Sequence, residues 1–291
     1  KIQPREQLNT YEEIKEYRDK ICGKEIVPHE YQTFLSKYIN PNTPYRGLLI
    51  FHGVGSGKTC GSIKIAENFK PLVEKYGTKI HVLVPGSLVK ENWKNEIIKC
   101  TGNTYLKVKN TNDFQSKIEQ KKSINDAYGI MNKYYKFISY KSFHKKVLGE
   151  KIKEKVKVNN KFVKKFRKTK DGDFERDISV DRIDSLNNSL IIIDEAHHLT
   201  DNDVGNALLK VINNSVNLKI VLLTATPMKN LADDIIYLLN FIRPKNDKIA
   251  RDKVFTTEKG HKMRFKEDGI KYLKDMTRGY VSYVRGADPL T

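Results

Sequence analysis

Hydrophobic positions along this chain follow two alternating patterns. Short apolar runs occupy 48–51, 79–84, 136–140, 190–193 and 219–223. Each is too short for an independent helix and gives way to polar or glycine-rich positions, as the buried strands of a parallel sheet do. Between these runs, apolar residues recur at helical spacing. Tyr31, Phe34, Leu35 and Tyr38 mark a helix beginning after Pro28, with Gln32 on its opposite side. Ile63, Ala66 and Phe69 mark a second helix, followed by Pro71, and Val89, Trp93 and Ile97 a third that starts near Ser87. A last helix buries Leu231, Ile235, Leu238, Leu239 and Ile242, with Asn230 as N-cap, Asp233 and Asp234 in its first turn and Pro244 as its stop. Tyr105–Val108 reads as one more strand, and Leu8, Tyr11, Ile14 and Tyr17 lie loosely at helical spacing. Strand alternating with helix predicts an α/β fold around a central parallel sheet with helices on both faces. Three segments follow: an accessory helical segment over 1–27, a main lobe over 28–244, and an extension over 245–291.

Composition narrows the class. The 291 residues are 38% hydrophobic and 31% charged, as expected of a soluble globular protein. No apolar run nears the ~20 residues of a membrane span, and no signal peptide is legible at Lys1, so no membrane partner is expected. Cys22, Cys60 and Cys100 stand apart without a C-x-x-C pair, which argues for a reducing compartment and against a disulfide framework or a zinc site. Lys and Arg number 54 against 35 Asp and Glu, a formal charge of +19. Such an excess favours polyanions, nucleic acid first; the bland alternative is a lysine-rich bias that solvates the surface. Lysines concentrate in a basic insertion over 144–184, where Lys145–Lys170 is interleaved with Val156, Phe162 and Phe166 and is followed by an acidic stretch. An arm that touches a phosphate backbone and a solvated insertion account for it equally well.

The chemistry begins where the first apolar run meets Gly53-Val54-Gly55-Ser56-Gly57-Lys58-Thr59. A loop without Cβ atoms lets backbone amides close around a polyphosphate at a helix N-terminus. Lys58 then meets the β/γ-phosphates and Thr59 ligates Mg²⁺. The first glycine position of the motif is held by His52, a strand-end residue. The fourth run ends in Asp194-Glu195-Ala196-His197. Carboxylates at the carboxyl edge of a parallel sheet sit where α/β proteins bind ligands. Asp194 suits Mg²⁺ through its water shell, and Glu195 suits the orientation and deprotonation of an attacking water. A bare two-carboxylate metal site is the alternative. His197 and His198 are adjacent and diverge on regular structure. The last run delivers Thr224-Ala225-Thr226-Pro227, whose two hydroxyls can link the nucleotide pocket to the sheet's other rim. Gln32, upstream of the phosphate loop, has the paired donor and acceptor that read an adenine edge.

In this order Gln32, Gly53–Thr59, Asp194–His197 and Thr224–Pro227 resemble the first, RecA-like motor lobe of a superfamily II helicase or translocase. The stretches Val84–Glu96 and Leu223–Pro244 are similar to the SWI/SNF-like branch acting on double-stranded DNA. Asn42–Thr59 and Arg278–Gly286 resemble the helicase-like ATPases of large DNA viruses, a group that includes a poxvirus early transcription factor subunit and a nucleoside triphosphatase. The resemblance implies ATP and Mg²⁺ as cofactors. It implies His197, Thr224 and Thr226 in coupling, and Ser87, Ser139 and Lys141 near a nucleic-acid backbone, DNA before RNA. Viral RNA polymerase or transcription factor subunits are implied partners, with the viral factory or the virion as location. No motif carrying an arginine finger is found, so a second motor lobe in a longer chain is expected. The competing expectations are an RNA-directed DEAH-type helicase and a nucleotide-switched scaffold subunit.

Overall fold

A computed structural model describes Thr10, Glu12, residues 29–106 and 117–148, strand segments 150–151, 154–158, 161–165 and 177–178, and residues 182–229, 231–257 and 263–285. Leu8, Tyr11, Ile14 and Tyr17, which carried the helix expected within 1–27, lie outside these residues, as does Asn230. Helix α1 (Glu30–Tyr38) precedes strand β1 (Gly47–His52), and the phosphate-loop helix α2 (Lys58–Glu67) is followed by α3 (Lys70–Tyr76). Then come β2 (Ile80–Val84), α4 (Ser87–Cys100), α5 (Lys117–Tyr134), β3 (Tyr135–Ser139) and α6 (Tyr140–Leu148). The basic insertion supplies β4 (Glu150–Lys151), β5 (Glu154–Val158), β6 (Lys161–Lys165) and β7 (Asp177–Ile178). After it run β8 (Ser189–Ile193), a 3₁₀ turn (Ala196–Leu199), α7 (Asp203–Asn214), β9 (Leu218–Thr224) and α8 (Asp234–Ile242). The C-terminal part holds α9 (Arg251–Val254), β10 (Phe255–Thr257), β11 (Met263–Phe265), α10 (Gly269–Thr277) and β12 (Val281–Val284). Among the described residues, no helix is long and apolar enough to cross a membrane.

The main sheet has six strands in the order β12-β1-β9-β8-β2-β3, and every neighbouring pair is parallel. Parallel strands covered on both faces explain why the apolar runs are continuous, because alternate residues enter opposite cores. Leu49, Leu83, Ile191, Ile193, Ile220 and Leu222 pack with α6, α7 and α8 on one face. Leu48, Ile50, Val82, Ile192, Val221 and Leu223 pack with α1 to α5 on the other.

The five apolar runs form five of these strands, and β12 is a sixth, drawn from the segment read as an extension. Arg243, only 4% exposed, fastens that segment to the end of α8. Its guanidinium donates to Asp247 O at 2.7 Å and to Met276 O, and lies 4.7 Å from the Tyr280 ring centre. Polar partners and an aromatic face together replace the water this cation gives up.

Other expectations give way for stated reasons. Tyr105 and Leu106 are buried in a turn, with the Tyr105 hydroxyl donating to Glu67 at 2.8 Å; Lys107 and Val108 lie outside the described residues. Pro71 opens α3 near its N-terminus, where a missing N–H costs nothing. Helix α8 starts at Asp234 with Asp233 in the N-cap position, and Leu231 is 55% exposed ahead of it. Cys60 and Cys100 form a disulfide across 40 residues, tying the first turn of α2 to the last turn of α4. The basic insertion contains an antiparallel hairpin of β5 and β6, paired from Glu154↔Lys165 to Val158↔Lys161.

Candidate functional site

The phosphate loop leaves β1 at His52 and re-enters helix at Lys58. Gly55 and Gly57 have φ of 76° and 72°, the left-handed region that glycine adopts without a steric cost. Gly57 is doubly constrained, since a Cβ there would lie 2.6 Å from Gln32 Nε2. The loop gathers on one acceptor: Lys58 Nζ donates to Gly53 O at 3.1 Å and Ser56 Oγ donates to it at 2.7 Å. Val54 projects into solvent, 83% exposed.

Helix α1 braces this loop from the side. Gln32 Nε2 donates to Gly57 O at 3.0 Å, its Oε1 accepts from His29 N at 3.0 Å, and the Tyr31 hydroxyl donates to Ser56 O. Gln32 is therefore buried, and Phe34, read as part of the apolar face, is 62% exposed. The reversal has a simple cause. The Gly57 carbonyl and the His29 N–H satisfy the amide, so burying it costs little, whereas Phe34 only stacks along the helix on Tyr38 and stays exposed.

On the other side of the loop lies β12. His52 is fully buried, its Nε2 hydrogen-bonded to Ser282 Oγ at 2.8 Å, and Gly53 N donates to Val284 O at 3.0 Å. His52 Nδ1 has no hydrogen-bond partner among the described residues. Burial, with the Lys58 charge adding to it, pushes the His52 pKa down to about 4, so the ring is neutral.

The carboxylate centre forms at the end of β8, two strands from β1 with β9 between. Two strand spacings are about 10 Å, which one Mg–phosphate group can bridge. Asp194 N donates to Leu83 O at 2.9 Å, and Asp194 Oδ2 accepts from Trp93 Nε1 at 2.8 Å. Burial raises the Asp194 pKa above the ordinary carboxylate value; the Trp93 bond and the Lys58 charge oppose this, and Glu195 adds to it. Glu195 has φ 53° and ψ 50°, a left-handed conformation that costs a non-glycine residue of order 1–3 kcal/mol. The Tyr140 hydroxyl donates to Asp194 O, and to Glu195 O at 3.2 Å, holding the turn in that shape.

His197 knits this turn to the end of β9. Its Nδ1 lies 2.9 Å from Thr224 Oγ1, 3.4 Å from Thr226 Oγ1 and 3.4 Å from Glu195 Oε2. Burial, then His198 and Lys229, lower the His197 pKa, which makes the contact to Glu195 that of a neutral ring. His197 and His198 do not diverge: the 3₁₀ turn sets their ring centres 4.3 Å apart. Ser87 is exposed in the first turn of α4, Ser139 Oγ donates to Ser142 Oγ at 2.8 Å, and Lys141 is exposed. These three follow β2 and β3, on the flank of the edge away from the phosphate loop.

One carboxyl edge thus gathers Lys58, Thr59, Asp194, Glu195, His197, Thr224 and Thr226. The donor set of a threonine hydroxyl and a carboxylate, all hard oxygens, fits Mg²⁺, and the left-handed glycines of the loop fit a polyphosphate. Sequence reasoning missed four participants: Tyr31, Trp93, Tyr140 and Ser282. Tyr31, beside Gln32, was the one with a local signal.

Fold and site together define a P-loop nucleotide-binding lobe of the RecA-like helicase type. The chain belongs to the SNF2-related domain family, whose match covers residues 25–282. It is 57% identical over its whole length to the putative ATP-dependent RNA helicase L377 of Acanthamoeba polyphaga mimivirus, of which it spans 25%. It is 27% identical, over 94% of the chain and 33% of the relative, to the early transcription factor 70 kDa subunit of Melanoplus sanguinipes entomopoxvirus. The SWI2/SNF2 ATPase core of Sulfolobus solfataricus in complex with dsDNA shares the fold, with a TM-score of 0.52 at 16% identity over 91% of this chain and 46% of that one. The chain spans well under half the length of these relatives.

Proposed function

We propose that this chain is the ATP-binding motor lobe of a nucleic-acid-dependent ATPase, acting on double-stranded DNA during viral transcription or genome remodelling. The observation that carries this reading is the shared carboxyl edge, where a glycine loop with Lys58 and Thr59 faces Asp194 and Glu195 two strands away. Backbone amides of the loop and the Lys58 ammonium bind the β- and γ-phosphates. Mg²⁺, when bound between Thr59 and Asp194, would neutralise charge that grows on the transferred phosphoryl group. Glu195, half exposed at the edge, orients a water and takes its proton. His197, bonded to Thr224 and near Thr226, relays the state of that carboxylate to the rim of the sheet. Gln32, its amide committed to Gly57 O and His29 N, braces the phosphate loop from α1 in place of the adenine contact expected of it, and Ser87, Ser139 and Lys141 contact the nucleic-acid backbone. A second lobe in a longer polypeptide supplies the charge that completes the transition state, with transcription-complex subunits as partners in a viral factory.

The RNA helicase name of L377 favours a second reading, an RNA-directed motor. Stimulation of ATP hydrolysis by duplex DNA, compared with duplex and single-stranded RNA, separates the two. Lys58→Ala tests the core of both: Mg²⁺-dependent binding of a fluorescent ATP analogue is expected to disappear. Binding by that variant at wild-type affinity would refute the assignment of the loop.

A further inference from the structure

Helix α4 begins at the exposed Ser87 rim, and its middle turn points Trp93 into the core on one face of the sheet. The ring is 2% exposed and large, which by itself describes a core filler. Its one polar atom changes that description. Indole N–H is a donor only, and here it is spent on Asp194 Oδ2 at 2.8 Å. The backbone around Asp194 is fixed separately, by its N–H on Leu83 O and by the Tyr140 hydroxyl on its carbonyl. What these bonds leave to the side chain is rotation of the carboxylate about its own axis, which Trp93 restrains through one oxygen alongside the Glu195 backbone N–H.

We propose that Trp93 is a positioning residue for Mg²⁺: it acts through Asp194, presetting the carboxylate so that the metal–nucleotide complex binds without reorienting it. The inference rests on the reading of Asp194 as the Mg²⁺-side carboxylate. Groups that orient a metal ligand from outside the coordination shell typically contribute 10- to 100-fold in affinity, and a single neutral donor belongs at the lower end.

The test is a Mg²⁺ titration of fluorescent ATP-analogue binding in the wild type, Trp93→Phe, Asp194→Asn and the double variant. Trp93→Phe is expected to weaken apparent Mg²⁺ affinity about tenfold, with nucleotide binding in EDTA unchanged. In the Asp194→Asn background it is expected to add nothing further, since its effect runs through that carboxylate. Equal Mg²⁺ dependence in wild type and Trp93→Phe would overturn the inference, and so would a weakening of equal size in the Asp194→Asn background. Absence of Mg²⁺-dependent binding in the wild type would instead refute the functional reading itself. A readout independent of any substitution at the core guards against misfolding. Trp93 is the chain's one tryptophan, so 5-fluorotryptophan labelling gives a single ¹⁹F resonance from this ring. It is expected to shift when Mg²⁺ is added to the nucleotide complex and to stay still in Asp194→Asn; a resonance indifferent to Mg²⁺ in the wild type would overturn the inference.

Discussion

Acidification should destabilise this lobe through two buried histidines. His52 at the end of β1 and His81 in β2 are both pushed down to about 4 from an ordinary 6.5. Burial is the main cause for each, followed by the charge of Lys58 for His52 and of Lys136 for His81. Between pH 6.5 and 4 the unfolded chain takes up protons at these rings and the native state does not. Stability therefore rises with pH through this window and is lost as pH falls, levelling off below about 4. From these values each ring costs about 2 kcal/mol on going from pH 7.5 to 5, and the pair about 4 kcal/mol. That is a large part of the roughly 5–15 kcal/mol that holds a typical domain together. Urea unfolding at both pH values, for the wild type and the His52→Gln/His81→Gln variant, isolates the effect. Hydrogen bonds removed by substitution weaken the variant at both pH values and cancel in the difference. The variant should lose about 4 kcal/mol less than the wild type on acidification. Equal losses would show that these rings titrate normally and that their burial has been misjudged.

Three further outcomes are expected. Glu195→Gln should retain nucleotide binding and slow single-turnover hydrolysis by roughly 10²- to 10⁴-fold, the usual contribution of a positioned base; hydrolysis near the wild-type rate would remove Glu195 from the reaction. Replacing the β5–β6 hairpin by a short Gly-Ser loop should flatten the log–log dependence of duplex DNA affinity on salt by about 0.9 for each phosphate that the hairpin neutralises; an unchanged slope would assign the lysines to a solvated surface. Reducing the Cys60–Cys100 bond, which spans 40 residues, should release about 4 kcal/mol of denatured-state restriction and lower the unfolding midpoint; a midpoint indifferent to dithiothreitol would mean that the bond does not form in solution.

The strands β1, β2, β8 and β9 could be read from sequence because strands buried on both faces are apolar almost throughout, and the edge strand β3 was legible from Phe137 and Ile138 beside the exposed Lys136. Asp194 and Glu195 were legible because they follow directly where an apolar run stops, and Lys58 and Thr59 because a glycine loop joins them to the end of one. What escaped was what depends on pairing across distance. Strand β12 is short, half exposed and partly polar, and it becomes a strand by pairing with the edge of β1. The apolar pattern counted Trp93 as bulk and so hid its single polar atom, and Tyr140 was read only as part of a polar strand end; both turn out to face the carboxylate turn. Gln32 was set on the wrong face of α1, because periodicity has no way of knowing that a loop carbonyl will cover an amide. Cys60 and Cys100 carry no local signature at all.

Strand β12 runs parallel to β1, with Leu49↔Val281 through His52↔Val284 in register. Tension applied to the chain beyond Val284 would therefore act along the strand, across its ladder of bonds. In that geometry the bonds bear load together, as rivets do in a lap joint, and do not open one after another as in a zipper. The rivet nearest the pull is the one that Gly53 N makes to Val284 O. The phosphate loop would then be the first part of the lobe to feel a tug from whatever the chain is fastened to.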